Sequence, residues 1–493
     1  MITRHASFLF TLVVLLGLFA PLQTSTVAHQ NGGAITLRPC QPNGIRGPAE
    51  CGTYEVFENR AARKGRKISI NVLVLPATGD KREPDPFFYF AGGPGSSATE
   101  DAPGIAQAFA KIREHRNLVF VDQRGTGQSS PLDCTFYDPK NPQSYFGYFF
   151  PLDEVRKCRT ELETKADLTL YTTAIAMDDI DEVRAALGYD KINLFGASYG
   201  TRAAMVYLRR HPRTVRTVML QGVMPANTHM PGDYPQQTER ALQGVLAECA
   251  ADEACNKAFP NIKSEAKAVL DRLIKGPVDV EFTPQGASGP IKVTLSRNLA
   301  AEAVRYMLYS QGGALRVPLF LHQAAGGNFV SLAQTALRFR RTLGSTGSDG
   351  MYLTVTCAED LPFIKRGQGE SERNAQNTFL GDYRLQQQRE ACDLWPRAKV
   401  DADHFKPVRS DVPVLMLTGE WDPVTPPANG DFAARTFSNS LHIVVPHGAH
   451  GLGGLEGLDC IERLNAEFVE RGTNKGLDTS CVKNIRRRGF VLQ

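Results

Sequence analysis

Six short, mainly apolar runs constrain this chain more than any other feature. Phe87-Phe88-Tyr89-Phe90 stops at Gly92-Gly93-Pro94-Gly95, Leu118–Val121 at Asp122-Gln123-Arg124-Gly125, and Ile192–Phe195 at Gly196. Val215–Leu220, Val414–Leu417 and His442–Val445 follow. A strand with no polar face is buried on both sides, as in a mostly parallel sheet covered by helices. Helical patterns lie between the runs. Thr173 can cap a segment that carries Ile180, Val183 and Leu187 on one face and ends at Gly188. Residues 201–210 supply a second helix, and Ile461, Leu464 and Phe468, ended by Gly472, a last one. This alternation predicts a doubly wound α/β sheet. Residues 53–77 alternate apolar and polar twice around a basic turn, which predicts an antiparallel hairpin at the sheet edge.

One stretch breaks the alternation. From about Pro225 to about Phe405 the pattern is mostly helical, with a hairpin near Val278–Phe282 and Ile291–Leu295. The expected division is an α/β core over 29–225 and 406–493 with a helical lid, 226–405, over the carboxyl ends of the strands. The first 28 residues read as a signal peptide: Arg4 and His5, an apolar run Phe8–Ala20, then Thr26-Val27-Ala28 as a cleavage site. That run is short for a membrane span, which needs about 20 residues. A secreted or periplasmic protein with no membrane attachment after cleavage is expected.

The ten cysteines fit export. Sequence does not fix their connectivity, but spacing suggests nearest neighbours: Cys40 with Cys51, Cys134 with Cys158, Cys249 with Cys255, Cys357 with Cys392, and Cys460 with Cys481. No Cys/His cluster has metal-ligand spacing, so no metal and no cofactor is expected. Lys and Arg number 56 against 52 Asp and Glu, a net charge of +4. No global field recruits nucleic acid. Oligomeric state is not legible.

The third run leads into the chemistry. Gly196-Ala197-Ser198-Tyr199-Gly200 is a G-x-S-x-G pentapeptide between a buried strand and a helix, the setting that a nucleophile elbow requires. A serine hydroxyl is a weak nucleophile until a base takes its proton and an acid orients the base. On such folds the order along the chain is Ser, acid, His. Asp422 follows Val414–Leu417 within Gly419-Glu420-Trp421-Asp422-Pro423-Val424-Thr425-Pro426 and is favoured over Glu420. His450 and His447 both follow the next strand, and Gly451 beside His450 favours it as the base. His442 is expected to pack within its strand and His211 to end a helix. Two backbone donors, Gly93 and Tyr199, are the expected oxyanion hole.

Several blocks together resemble the proline iminopeptidase and tripeptidyl aminopeptidase group of α/β-hydrolases. They are Gly92-Gly93-Pro94-Gly95, Asp122-Gln123-Arg124-Gly125-Thr126-Gly127, the pentapeptide with Thr201-Arg202, and Tyr171-Thr172-Thr173 through Asp178-Asp179. Cys357-Ala358-Glu359-Asp360, Cys392-Asp393-Leu394-Trp395, Asp422-Pro423-Val424-Thr425-Pro426 and Ala449-His450-Gly451 resemble the secreted tripeptidyl branch. The blocks span roughly residues 50–485. Ala91 stands where proline iminopeptidases usually carry histidine, which weakens strict proline specificity. The resemblance implies an α/β-hydrolase fold and a serine exopeptidase acting on peptides with free N-termini, with Ser198, Asp422 and His450 as its triad. It also implies an acid for the substrate ammonium, with Glu359, Asp360 and Glu100 as candidates. An esterase on the same triad and a silent binding protein on the same fold are the rival readings.

Overall fold

The computed structural model describes residues 35–364 and 378–493, apart from the side chains of Ser345 and Thr346. The expected signal peptide lies outside the described residues. Eleven strands occur among these: β1 (Arg38–Pro39), β2 (Glu50–Phe57), β3 (Lys67–Leu75), β4 (Phe87–Phe90), β5 (Leu118–Val121), β6 (Ile192–Ala197), β7 (Val215–Gln221), β8 (Val278–Phe282), β9 (Ile291–Leu295), β10 (Val414–Gly419) and β11 (Ser440–Val445). The unbroken apolar runs become strands because both their faces find cover. Every residue of β4, β5 and β10 is buried. One face packs Phe87, Phe195 and Leu415 against Leu464 and Phe468 of the helix Asp459–Arg471. The other packs Phe88, Leu194 and Leu220 beneath the helices Thr173–Ala186 and Tyr199–Arg210.

All strands except β8 and β9 form one sheet in the order β1-β2-β3-β5-β4-β6-β7-β10-β11. From β5 to β11 the pairing is parallel. The hairpin β2–β3, with β1, is antiparallel and forms one edge, as its alternating pattern predicts. The chain steps from β4 outward to β5 and then crosses back to β6 on the other side. That reversal opens a crevice at the carboxyl ends of β4 and β6, where α/β folds bind ligands.

Two local expectations are corrected. The helix Thr173–Ala186 is capped by Thr172, whose hydroxyl accepts from Ile175 N at 3.4 Å; Thr173 is the first helical residue. The last apolar run is not buried on both sides. β11 is the sheet's far edge strand, and Val444 is exposed there because no further strand or helix covers it.

Between β7 and β10 the chain is helical, with helices Tyr234–Ala251, Ile262–Ile274, Arg297–Met307, Val330–Thr346, Asp349–Glu359 and Tyr383–Leu394 among others, and the hairpin β8–β9. Five disulfides close neighbouring cysteines: Cys40–Cys51, Cys134–Cys158, Cys249–Cys255, Cys357–Cys392 and Cys460–Cys481. Such bonds persist in oxidising compartments. Among the described residues no helix is long and apolar enough to cross a membrane.

Candidate active site

Ser198 sits at the carboxyl end of β6 with φ 56° and ψ −125°, in the left-handed half of φ space that non-glycine residues avoid. Its flanks show why the sequence tolerates nothing larger. A Cβ on Gly196 would lie 2.3 Å from Gly200 O, and one on Gly200 would lie 2.0 Å from Phe90 O. The helix Tyr199–Arg210 thus leaves the strand at once and packs against the end of β4. Ser198 N donates to Gln221 O at 2.9 Å, which fixes the turn to β7. Gly92, just after β4, comes so close that an added Cβ would be 3.3 Å from Ser198 Cβ. The Gly92–Gly95 loop therefore brings backbone, and no side chain, to the serine.

Asp422 follows β10 and is fully buried. Its Oδ1 accepts from Val424 N and Thr425 N, both at 2.8 Å, and its Oδ2 from Thr425 Oγ1 at 2.8 Å. His450 Nδ1 meets the same Oδ2 at 2.8 Å. Burial pushes this carboxyl up, yet His450 and the two N–H groups outweigh it and hold the carboxyl below its ordinary value. The Thr-Pro after Asp422 thus forms a loop whose donors are spent on one carboxylate. The His450 ring lies edge-on to Tyr309 at 5.2 Å, and Gly451 N donates to Tyr309 O at 2.8 Å. A Cβ on Gly222, after β7, would lie 3.1 Å from His450 Cε1, so glycine there leaves room for the ring.

The competing residues are engaged elsewhere. Glu420 accepts from His447 N at 2.8 Å, and His447 Nδ1 meets Glu248 Oε1 at 2.7 Å. Glu248, Glu420 and His447 bring three oxygen and nitrogen atoms within 4.8 Å of one another. Arg487 Nε pairs with Glu248 Oε2 at 3.0 Å. His442 bonds Thr418 and Asp431, and His211 ends its helix against Asp178.

Ser198 and His450 line one cavity of about 290 Å³ together with Gly93, Pro94 and Ser96. The segment between β7 and β10 supplies much of the remaining wall, including Tyr234, Arg305, Tyr309, Asp349, Tyr352 and Arg384, and Phe149 and Val424 join it from outside that segment. A larger groove of about 710 Å³ along β8 contains none of the sequence-predicted residues.

Of the three acids expected to face the substrate, none lines this cavity. Glu359 is fully buried and accepts from Thr173 N and Thr173 Oγ1, both at 2.6 Å. Asp360 pairs with Arg202 at 2.8 Å. Together they tie the end of helix Asp349–Glu359 to the helices beneath the elbow. Glu100 is exposed in the first turn of the helix Ala98–Ala108. The acid in the cavity is Asp349, which sequence reasoning missed. Ser348-Asp349-Gly350 reads as an ordinary helix start, and only the packing of that start against the glycine loop reveals it. Ser348 N donates to Gly95 O at 2.9 Å. Burial pushes the Asp349 carboxyl up to about 7, with Arg384 and Arg340 opposing.

The Asp122-Gln123-Arg124-Gly125 block serves the scaffold. Asp122 accepts from Ser97, Thr99, Asn71 and Gln128, and Arg124 grips buried Asp179 at 2.6 and 2.9 Å. The first of these orders the turn that follows the glycine loop; the second locks the β5 end to helix Thr173–Ala186.

A family model of the alpha/beta hydrolase fold matches residues 85–282, and a model of TAP-like proteins matches residues 377–481. Serine protease Hip1 of Mycobacterium tuberculosis is 26% identical over 91% of this chain and 91% of its own. Tripeptidyl aminopeptidase of Streptomyces lividans is 24% identical over 90% of this chain and 85% of its own. Carboxylesterase B of Mycobacterium tuberculosis is 24% identical over 88% and 86%. Fold and relatives define a serine hydrolase of the α/β-hydrolase fold. Within that class, these relatives support an enzyme of peptidase type, and the chain is similar to the group that holds the tripeptidyl aminopeptidases.

Proposed function

We propose that this enzyme is an extracytoplasmic aminopeptidase that releases amino acids or short peptides from free N-termini through an acyl-enzyme on Ser198. In this reading Ser198 Oγ attacks the scissile carbonyl as His450 Nε2 takes its proton. Asp422, an acceptor only, fixes the His450 tautomer with Nδ1–H toward it and stabilises the imidazolium. The developing oxyanion is held by the N–H groups of Gly93 and Tyr199. His450 then returns its proton to the leaving amine, and water enters by the reverse steps. The helical segment 226–405 acts as the lid that limits how far a peptide can run past the serine.

The observation that carries the aminopeptidase reading is Asp349 in the wall of the cavity that Ser198 and His450 share. An ammonium in that cavity would draw a raised carboxyl back to its ionised form and pair with it. The five disulfides support an oxidising compartment. The relative named carboxylesterase B keeps an esterase as the second reading, because one triad serves esters and amides alike. The test is turnover of matched peptide amides with free and acetylated N-termini beside simple esters. Free peptides should be favoured strongly; equal turnover of free and acetylated peptides, or turnover of esters alone, defeats the proposal.

A further inference from the structure

The cavity wall carries a guanidinium whose N–H edge its neighbours do not satisfy. Arg384 is 5% exposed and lines the wall, yet makes no ion pair among the described residues. Its faces are covered by the rings of Phe149, Phe150 and Tyr352. Ring contacts do not satisfy the N–H edge of a guanidinium. Nε and Nη1 have no acceptor, and Nη2 reaches only Tyr352 Oη, at 3.4 Å. Arg305, on the same wall, meets Glu302 at 3.2 Å and Tyr309 Oη at 2.6 Å, and its Nε also lacks an acceptor. Arg340 stands close by, nearly fully buried and directed at Tyr137 and Gly147. The carboxylates among these groups are Glu302, already paired with Arg305, and Asp349, which has Asp133 close behind it.

A buried cation without a counter-charge is costly, so such a group persists where a ligand supplies the anion. We propose that Arg384, assisted by Arg305, forms an anion subsite for a carboxylate side chain in the part of the substrate that the cavity encloses. The inference rests on the aminopeptidase reading in one respect. If a substrate ammonium engages Asp349, that carboxylate no longer offsets Arg384, whose N–H edge still lacks an acceptor. A peptide with Asp or Glu near its N-terminus brings both charges at once. A neutral residue of the same size leaves Arg384 uncompensated.

The test has two arms. In the first, tripeptidyl nitroanilides with Glu or Gln at each position in turn are compared by kcat/KM. Glu should be favoured about 10- to 100-fold at one position, the range for a charge-assisted hydrogen bond. Arg384→Met should lower the rates of the Glu peptides far more than those of the matched Gln peptides, so that the preference is lost. Arg384→Lys should restore part of it, which separates lost charge from lost folding. Equal rates for Glu and Gln at every position, or equal loss for both in Arg384→Met, overturns the proposal. The second arm does not depend on peptidase activity. Glutarate should slow fluorophosphonate labelling of Ser198, and glutaramide should not, with the difference absent in Arg384→Met. Identical effects of the two compounds overturn the subsite; absence of all peptide turnover with glutarate protection intact overturns only the aminopeptidase reading.

Discussion

His450 and His447 lie three residues apart on one loop, and each meets a carboxylate at hydrogen-bond distance. Their surroundings divide them. His450 reaches a fully buried aspartate whose other donors come from its own loop, and its ring opens on the cavity that holds Ser198. His447 reaches Glu248 on the helix Tyr234–Ala251, where Trp421 Nε1 also donates to Glu248 at 2.6 Å. Arg240 from the same helix donates to the carbonyls of Glu420 and Asp422. In the proposed reaction the first pair moves a proton, while the second fastens the helical segment to the loops that carry Asp422 and His450. Similar chemistry is put to two uses because only the first pair shares its cavity with Ser198.

The largest test of that contrast removes the nucleophile. Ser198→Ala should abolish fluorophosphonate labelling and lower kcat by at least about 10⁴-fold, leaving the residual rate due to binding and the oxyanion donors. Labelling of this variant at one equivalent per chain would place the nucleophile elsewhere. Next come the two histidines themselves. His450→Ala should cost about 10²- to 10⁴-fold in kcat, the range of a positioned general base. His447→Ala should cost less than about 10-fold and instead lower Tm, since a hydrogen-bonded charged partner contributes about 1–2 kcal/mol. The reverse ranking in steady-state kinetics would exchange their roles.

A smaller effect concerns Asp349 against Glu359. Asp349→Asn should lower kcat/KM for free peptides by about 10-fold, the value of a lost charge-assisted hydrogen bond, with little change for acetylated ones. Glu359→Gln should leave that ratio unchanged and reduce stability, because Glu359 accepts from the first turn of helix Thr173–Ala186. Unchanged discrimination in the Asp349 variant would remove it from the ammonium site.

The smallest effect is in stability against pH. The folded Asp349 carboxyl is raised to about 7, above the unfolded value near 4. Between about pH 4 and 7 the folded chain therefore binds the extra proton, so this group's contribution falls as pH rises through that window. Asp349→Asn should flatten that slope in denaturant titrations at pH 4.5 and 7.5. An unchanged slope would mean that the carboxyl is ionised throughout.

Much of the sheet was open to pattern reading because burial on both faces leaves a one-dimensional trace, an apolar run stopped by glycine. That trace failed at β11, where an edge position exposes one face without changing the residues' preference for strand. Ser198 was legible for a related reason: the turn around it excludes any Cβ at Gly196 and Gly200, so sterics write the site into the sequence. Asp349, Arg384 and Glu248 carried no such trace. Each lies on a helix with no motif of its own, and each acquires its setting from residues distant along the chain.

The sequence by itself determined the alternation of strand and helix and the elbow serine with its glycine flanks, and it suggested the pairing of near cysteines and the order serine, acid, histidine. All depend on local sterics or short spacing, which neighbouring residues record. The tertiary structure alone decided which histidine faces the cavity, which acid stands in its wall, and that Glu359 and Asp360 brace the helices beneath the elbow. Those assignments depend on how helices between β7 and β10 pack over the strand ends. Packing sums many contacts between residues far apart in the chain, and no single stretch of sequence holds that sum.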